Sequence, residues 1–397
     1  MQVLWLAALA GWVVVALIGI SWLLTSRKTD GSLLRVSPIT RGLRWYRSLW
    51  LRAAANIAGW PHLVDRSLGT HRASVMPSPS DVIWKDGKAT LTRLRMGPKD
   101  GPAVLVVHSL ISKPWILDLN TERSFLGALA DAGLDTYLFD WGDFDAADAH
   151  SDLSHFAGLL MRAEEKVLAS TGGSSLHLVG YCLGATLCLA RTAARRHDHV
   201  RSLSLVAAPG DFGVPSGLQV LMSHRLLKPA FFLDGSSCVP AAAVRESFHW
   251  LRPQALKTVR WGLSQRRNSE FRATYDALAR WVWEHRPLPG ALFFDLVDLF
   301  RTNSLYEGHL EVAGEQARLS DIRVPVGAFV ADRDHIVPSG SSHALAAVPG
   351  LDLTVFNCAS GHVSMICGAG ARNMMWPRLI EWIKTQDERS STKTNAT

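Results

Sequence analysis

The chain has 397 residues, 48% hydrophobic and 19% charged, with a formal net charge of +7 and five cysteines. That leaves room for one large domain or two ordinary ones, in a globular balance with a membrane element added. An odd number of unpatterned cysteines makes a poor disulfide framework and fits a reducing compartment better.

In chain order, the first element is Val3 to Leu24, 22 residues without a charge. That is long enough to cross a hydrocarbon core of about 30 Å. No basic n-region precedes it and Ser26-Arg27-Lys28 is a poor cleavage site, so an uncleaved transmembrane anchor over 1–26 is expected rather than a signal peptide. From Arg27 to Arg72, nine Lys and Arg face only Asp30 and Asp65, an excess equal to the whole net charge of +7. The positive-inside rule then predicts a single-pass protein of the inner (cytoplasmic) membrane, held by residues 3–24, with its catalytic domain facing the cytoplasm. The remainder is neutral and offers no basic patch, which argues against nucleic acid as a partner. Residues 27–80 form a basic linker. Within it, "RGLRWYRSLWLRAAANIAGW" is an amphipathic helix with Leu43, Tyr46, Trp50 and Ile57 near one face. It suits an anionic lipid surface and equally a helix packed on its own domain.

The main domain starts near residue 81. "DVIWKDGKATLTRLRM" alternates around Asp86-Gly87, a two-residue hairpin turn. Then come the strand "AVLVVHSL", a helix ending near Gly133, the strand "DTYLFDWGD", the helix "LSHFAGLLMRAEEKVLAST" and the strand "SLHLVGY". Helix "ATLCLARTAARR" and strand "VRSLSLVAAP" follow. Short apolar strands alternating with helices predict an α/β fold with a mostly parallel sheet covered on both faces. Residues 81–209 are its first part. The rhythm is lost over 210–314, which reads as a mainly helical cap insertion, and returns over 315–386. The polar segment 387–397 is expected to be disordered.

At "LHLVGYCLGATLCLA" a cysteine stands between two glycines where a strand becomes a helix. Gly-x-nucleophile-x-Gly in that setting is the nucleophile elbow of the α/β-hydrolase fold. Gly180 and Gly184 give the turn room, and the helix N-terminus favours a Cys182 thiolate. The backbone N–H groups of Leu183 and of Leu110, in the loop after "LVVHSL", are the candidate oxyanion hole. The elbow requires an acid and then a histidine, each after a late strand. "FVADRDHIVP" supplies Asp334 and "FNCASGHVS" supplies His362. Asp332 is the rival acid and His335 the rival base. Cys188, inside the following helix, reads as a core thiol. His108 either lines the pocket or is a polar strand end. Cys358, His362 and Cys367 match no common zinc spacing, so no metal is expected.

With these residues in view, the chain resembles the poly(3-hydroxyalkanoate) synthases over about residues 81–382. The resemblance is carried by "SLISKPWILDL", "LFDWGDFD", "LVGYCLGATL", "PLPGALFFDLVDLFRTNSL", "DRDHIVP" and "SGHVS". It implies Cys182 as nucleophile, His362 as general base and Asp334 as its partner, a hydroxyacyl-CoA thioester as substrate and no cofactor besides; the sequence does not fix the oligomeric state and leaves a homodimer open. The sequence departs from the family where paired prolines become His108-Ser109 and an asparagine becomes Ser112. Ala185 replaces a glycine, Ser339 a tryptophan, Met365 a glycine and Gly368-Ala369 an Asn-Pro pair.

Two enzymes share this triad. One is a cysteine-dependent acyltransferase that polymerises (R)-3-hydroxyacyl-CoA with release of CoA. The other is a membrane-anchored cysteine hydrolase, a thioesterase or esterase, with water as acceptor. A membrane-surface binding protein without turnover is a third class, against which the intact triad argues. Phe231, Phe232, Phe248, Trp250, Trp261, Trp281, Trp283, Phe293 and Phe294 are expected to close an apolar lid over Cys182, which favours transfer over hydrolysis.

Overall fold

The computed structural model describes residues 74–394 except 174, 195–198, 225–227 and 252–268. The chain divides into two compact units, Met1–Gly59 and Trp60–Thr397, of which the first lies outside the described residues.

Strands β1 (Ser80–Asp86) and β2 (Ala89–Leu94) form the expected antiparallel hairpin, its two-residue turn lying one position on, at Gly87-Lys88, with Gly87 at φ +55°. β3 (Ala103–Val107), β4 (Asp135–Asp140), β5 (Leu176–Tyr181) and β6 (Val200–Val206) follow. Every residue of β3 and β5 is buried, as a strand covered on both faces must be. After the insertion come β11 (Val326–Ala331) and β12 (Leu353–Cys358). The eight strands lie in the order β1-β2-β4-β3-β5-β6-β11-β12. The β1–β2 and β2–β4 pairings are antiparallel and the remaining five parallel.

Register brings the carboxyl ends of the central strands level. Val107 pairs with Gly180, Tyr181 with Val206, Val206 with Phe329, and Ala331 with Cys358. The loops after β3, β5, β11 and β12 therefore open on one edge of the sheet, where α/β folds place their sites.

Helices Phe125–Asp131, Leu153–Thr171 and Leu183–Ala194 cross between the strands. Ser124 and Asp152 cap the first two through their side chains, accepting from the amides of Gly127 and His155. Between β6 and β11 the described helices are Gly217–Ser223, Ala241–Leu251, Ser269–Trp283 and Gly290–Thr302. The short strands β7 (Cys238–Val239) and β8 (Leu288–Pro289) pair there, as do β9 (Leu310–Val312) and β10 (Glu315–Ala317).

Two expectations need correction. Among the described residues no helix is long and apolar enough to cross a membrane. The longest, Ala371–Thr394, has 24 residues but carries Arg372, Arg378, Glu381, Lys384, Asp387, Glu388 and Arg389. The spanning helix expected at 3–24 and the lipid-facing helix of the linker lie outside the described residues. Over the described residues the fold class is accordingly the α/β-hydrolase architecture without a transmembrane helix, and the single-pass inner-membrane location is withdrawn with it. The second correction is at the C-terminus, where that helix runs to Thr394 through the segment expected to be disordered. Asp387 is anchored by Arg201 and by His177, whose Nε2 lies 3.4 Å away.

Candidate active site

Cys182 follows β5 directly and precedes the helix Leu183–Ala194. Its φ is +55°, a left-handed conformation that costs a non-glycine residue about 1–3 kcal/mol. Its amide donates to the Val206 carbonyl at 2.9 Å, and its carbonyl accepts from Ala185 and Thr186 at 2.9 and 3.2 Å. Both flanking glycines are sterically required. A Cβ on Gly180 would meet the Ala185 Cα at 2.3 Å, and one on Gly184 the carbonyl oxygens of Val107 and His108 at 2.4 Å. Ala185, in place of a glycine, is fully buried against this turn.

His362 and Asp334 meet across the loops after β12 and β11. His362 Nδ1 lies 2.6 Å from Asp334 Oδ2, and both side chains are almost wholly buried. The other carboxylate oxygen accepts the amides of Ile336 and Val337 at 2.8 and 2.9 Å, which fixes the group's orientation. The rivals do not compete, because Asp332 and His335 are both exposed. Burial works against a charged imidazole at His362. The Cys182 sulfur and the Asp334 carboxylate outweigh it and push the pKa up to about 10. The imidazole is thus held between the Cys182 sulfur and the Asp334 carboxylate.

Cys188, six residues beyond Cys182 in the same helix, is fully buried, and burial pushes its thiol well above the usual range. It is a core residue. Leu183 opens the elbow helix, so its N–H has no intrahelical acceptor. Leu110 lies three residues past β3, 1% exposed. Among the described residues no group of three or more His, Cys, Asp or Glu could hold a metal.

His108, expected to line the pocket or to be a polar strand end, is a fully buried partner just past β3. Its Nε2 lies 3.2 Å from Asp140 Oδ1, at the end of β4. Trp141 Nε1 donates to its carbonyl at 2.9 Å. Arg286, from the segment before β8, places Nη2 2.7 Å from the same Asp140 oxygen and Nε 3.1 Å from Asp143 Oδ1. Lys113 also binds Asp143. Burial would raise the Asp140 pKa, yet His108 and Arg286 hold it far below the ordinary carboxylate range. Burial and the Arg286 charge push His108 down. This network was missed from the sequence. "LFDWGDFD" contained three of its members, Asp140, Trp141 and Asp143, but nothing in sequence marked Arg286, 146 positions from Asp140.

The aromatic lid is only partly as expected. Trp281 packs against the apolar cluster that contains Cys182 and donates its Nε1 to the Lys113 carbonyl at 2.9 Å. Phe231, Phe232 and Phe294 turn outward instead, 60%, 41% and 39% exposed. Trp261 and the side chains of Phe248 and Trp250 lie outside what is described.

The family model described as the alpha/beta hydrolase fold matches residues 102–366. The poly(3-hydroxyalkanoate) polymerase subunit of Haloferax mediterranei is 28% identical over 372 residues, covering 91% of this chain and 74% of that protein. Its counterpart in Allochromatium vinosum is 24% identical over 315 residues, covering 77% and 88%. The resemblance read from the motifs is thus found again over most of the length. A lipase structure from Sulfolobus solfataricus, 13% identical, covers 77% of this chain and 93% of its own with a TM-score of 0.51, and shares the fold alone.

Proposed function

The chain belongs to the α/β-hydrolase fold family, and on its likeness to the poly(3-hydroxyalkanoate) polymerases we propose that it is a cysteine-dependent acyltransferase acting on hydroxyacyl-CoA thioesters. The observation that carries the mechanism is the elbow cysteine at φ +55° beside a histidine held 2.6 Å from a buried aspartate.

In the first half-reaction the Cys182 thiolate attacks the thioester carbonyl. The oxyanion is met by the N–H groups of Leu183 and Leu110, and collapse expels the CoA thiolate, which takes the proton from the His362 imidazolium. In the second, neutral His362, oriented by Asp334, takes the proton of an incoming hydroxyl. That oxygen attacks the acyl-cysteine carbonyl and releases the Cys182 thiolate. A new ester is formed for each thioester cleaved. Water in place of the hydroxyl would make the protein a thioesterase. Incubation with 3-hydroxybutyryl-CoA, with CoA and product measured together, is the test. Oligomeric hydroxyacyl ester supports the acyltransferase, and free hydroxy acid equal to the CoA released overturns it.

A further inference from the structure

Residues 108–113, the loop between β3 and the 3-10 turn Pro114–Leu117, form neither helix nor strand, yet His108, Ser109, Leu110 and Ser112 are buried. A buried loop without a strand ladder must be held by groups from elsewhere. At both ends the holder is an indole. Trp141 Nε1 donates to the His108 carbonyl and Trp281 Nε1 to the Lys113 carbonyl, each at 2.9 Å. Charge joins the same two ends. His108 pairs with Asp140 and Lys113 with Asp143, and Arg286 takes both carboxylates, through Nη2 at 2.7 Å and Nε at 3.1 Å. His108, Asp140, Arg286, Asp143 and Lys113 thus close a ring across the base of the loop.

Trp141 and the two aspartates belong to the end of β4 and the loop that follows it. Trp281 and Arg286 belong to the insertion between β6 and β11, the first in the helix Ser269–Trp283 and the second just before β8. Further contacts run along the same line. Arg280 lies over the Trp115 ring at 5.0 Å, and Asn120 Nδ2 donates to Thr274 Oγ1 at 3.0 Å. The two arms of Arg286 are unequal. Asp143 is 68% exposed and water screens its pair, whereas Asp140 is 26% exposed and Arg286 2%, so the Asp140 arm carries most of the grip. Spanning both carboxylates takes the rigid fork of a guanidinium, which the point charge of an ammonium does not reproduce. The clasped loop reaches the chemistry through its backbone. The carbonyls of Val107 and His108 abut Gly184 in the first turn of the elbow helix, and Leu110 lies within the loop.

We propose that Trp281 and Arg286 are positioning residues through which the insertion holds the loop 108–113, and with it the Leu110 amide, against the Cys182 elbow. The proposal rests on the acyl-transfer reading above and deepens it. The insertion tunes the oxyanion step of that reaction without touching the substrate.

Two reactions at Cys182 separate this role from general damage. Acylation by 3-hydroxybutyryl-CoA passes through an oxyanion, whereas alkylation by iodoacetamide displaces iodide at a saturated carbon and needs only the thiolate. Both are followed on the full chain by mass spectrometry of the Cys182 peptide, in wild type, Arg286→Lys and Trp281→Phe. A thermal melt reports on folding, and Trp281→Phe, which loses one donor and keeps an apolar ring, serves should Arg286→Lys fail to fold. In each folded variant the saturating acylation rate should fall at least about tenfold, with the half-saturating ester concentration and the alkylation rate within about twofold of wild type. Unchanged acylation in a folded variant overturns the role of the residue replaced. Acylation and alkylation falling together overturns it too, since that is what a merely structural contact would give. A wild type that is alkylated at Cys182 but never acylated overturns the acyl-transfer reading and the positioning role with it.

Discussion

The carbonyl oxygen of His108 stands 2.4 Å from where a Cβ on Gly184 would be. The elbow helix and the loop after β3 are thus in backbone contact through a glycine. Backbone atoms cannot swing aside as a side chain can, so the contact sets the distance between Cys182 and the loop amide.

Gly184→Ala should therefore separate the two by pushing the loop away. We expect destabilisation of about 1–3 kcal/mol by urea denaturation, with acylation by acyl-CoA reduced at least 100-fold, about 2.7 kcal/mol of transition-state stabilisation. Gly235→Ala is the control, since nothing lies within 4 Å of its Cβ. Equal effects at the two positions would remove the steric argument.

Cys182 and Cys188 share one short stretch and differ in setting. Cys182→Ala should abolish covalent labelling by an acyl-CoA and leave the fold intact. Cys188→Ala should keep labelling and lose only packing, about 1 kcal/mol on melting. Labelling that survives in the first variant and vanishes in the second would move the nucleophile to Cys188.

The His362 pKa makes a pH claim with a definite sign. Its folded value, about 10, lies above the ordinary value of 6.5. The stability it contributes is fully present below about pH 6.5 and is lost as pH rises through about 10. The difference in melting temperature between wild type and His362→Gln should accordingly shrink between pH 7 and 10. In Cys182→Ala the imidazole pKa followed by NMR should fall, because the Cys182 sulfur is the largest influence raising it. A pKa that stays near 10 without the sulfur would refute that influence.

What could be read from sequence was whatever is local. The hairpin, the helix Leu153–Thr171 and the glycine-flanked Cys182 are each dictated by neighbours in the chain; the last two appear at their expected residues, and the hairpin turn lies one residue on, at Gly87-Lys88. Asp334 and His362 were legible because the fold's chain order demands an acid and a histidine after its last strands. Arg286 was not, since its meaning comes from a tertiary contact with Asp140 that no spacing encodes. Phe231 and Phe294 misled for a related reason. Aromatic content measures how much apolar surface a segment has but not which way each ring faces, and these rings face out. Asp387 reads as part of a polar tail until Arg201 and His177, far away in the chain, are seen to hold it.

His362→Gln probes the two half-reactions separately. Thiolate formation at Cys182 has help from the elbow helix and does not depend wholly on the imidazole, so one acylation should proceed at a reduced rate. Deacylation has no such help, because a hydroxyl acceptor must lose its proton and glutamine cannot take it. The variant should therefore release about one CoA per chain and stall with the acyl group on Cys182. Intact-protein mass spectrometry should show that adduct, while wild type given the same substrate turns over and accumulates product. Multiple CoA equivalents released by the variant would mean that another group deprotonates the acceptor. His108→Gln in the same background would then test the imidazole of the loop whose backbone abuts Gly184.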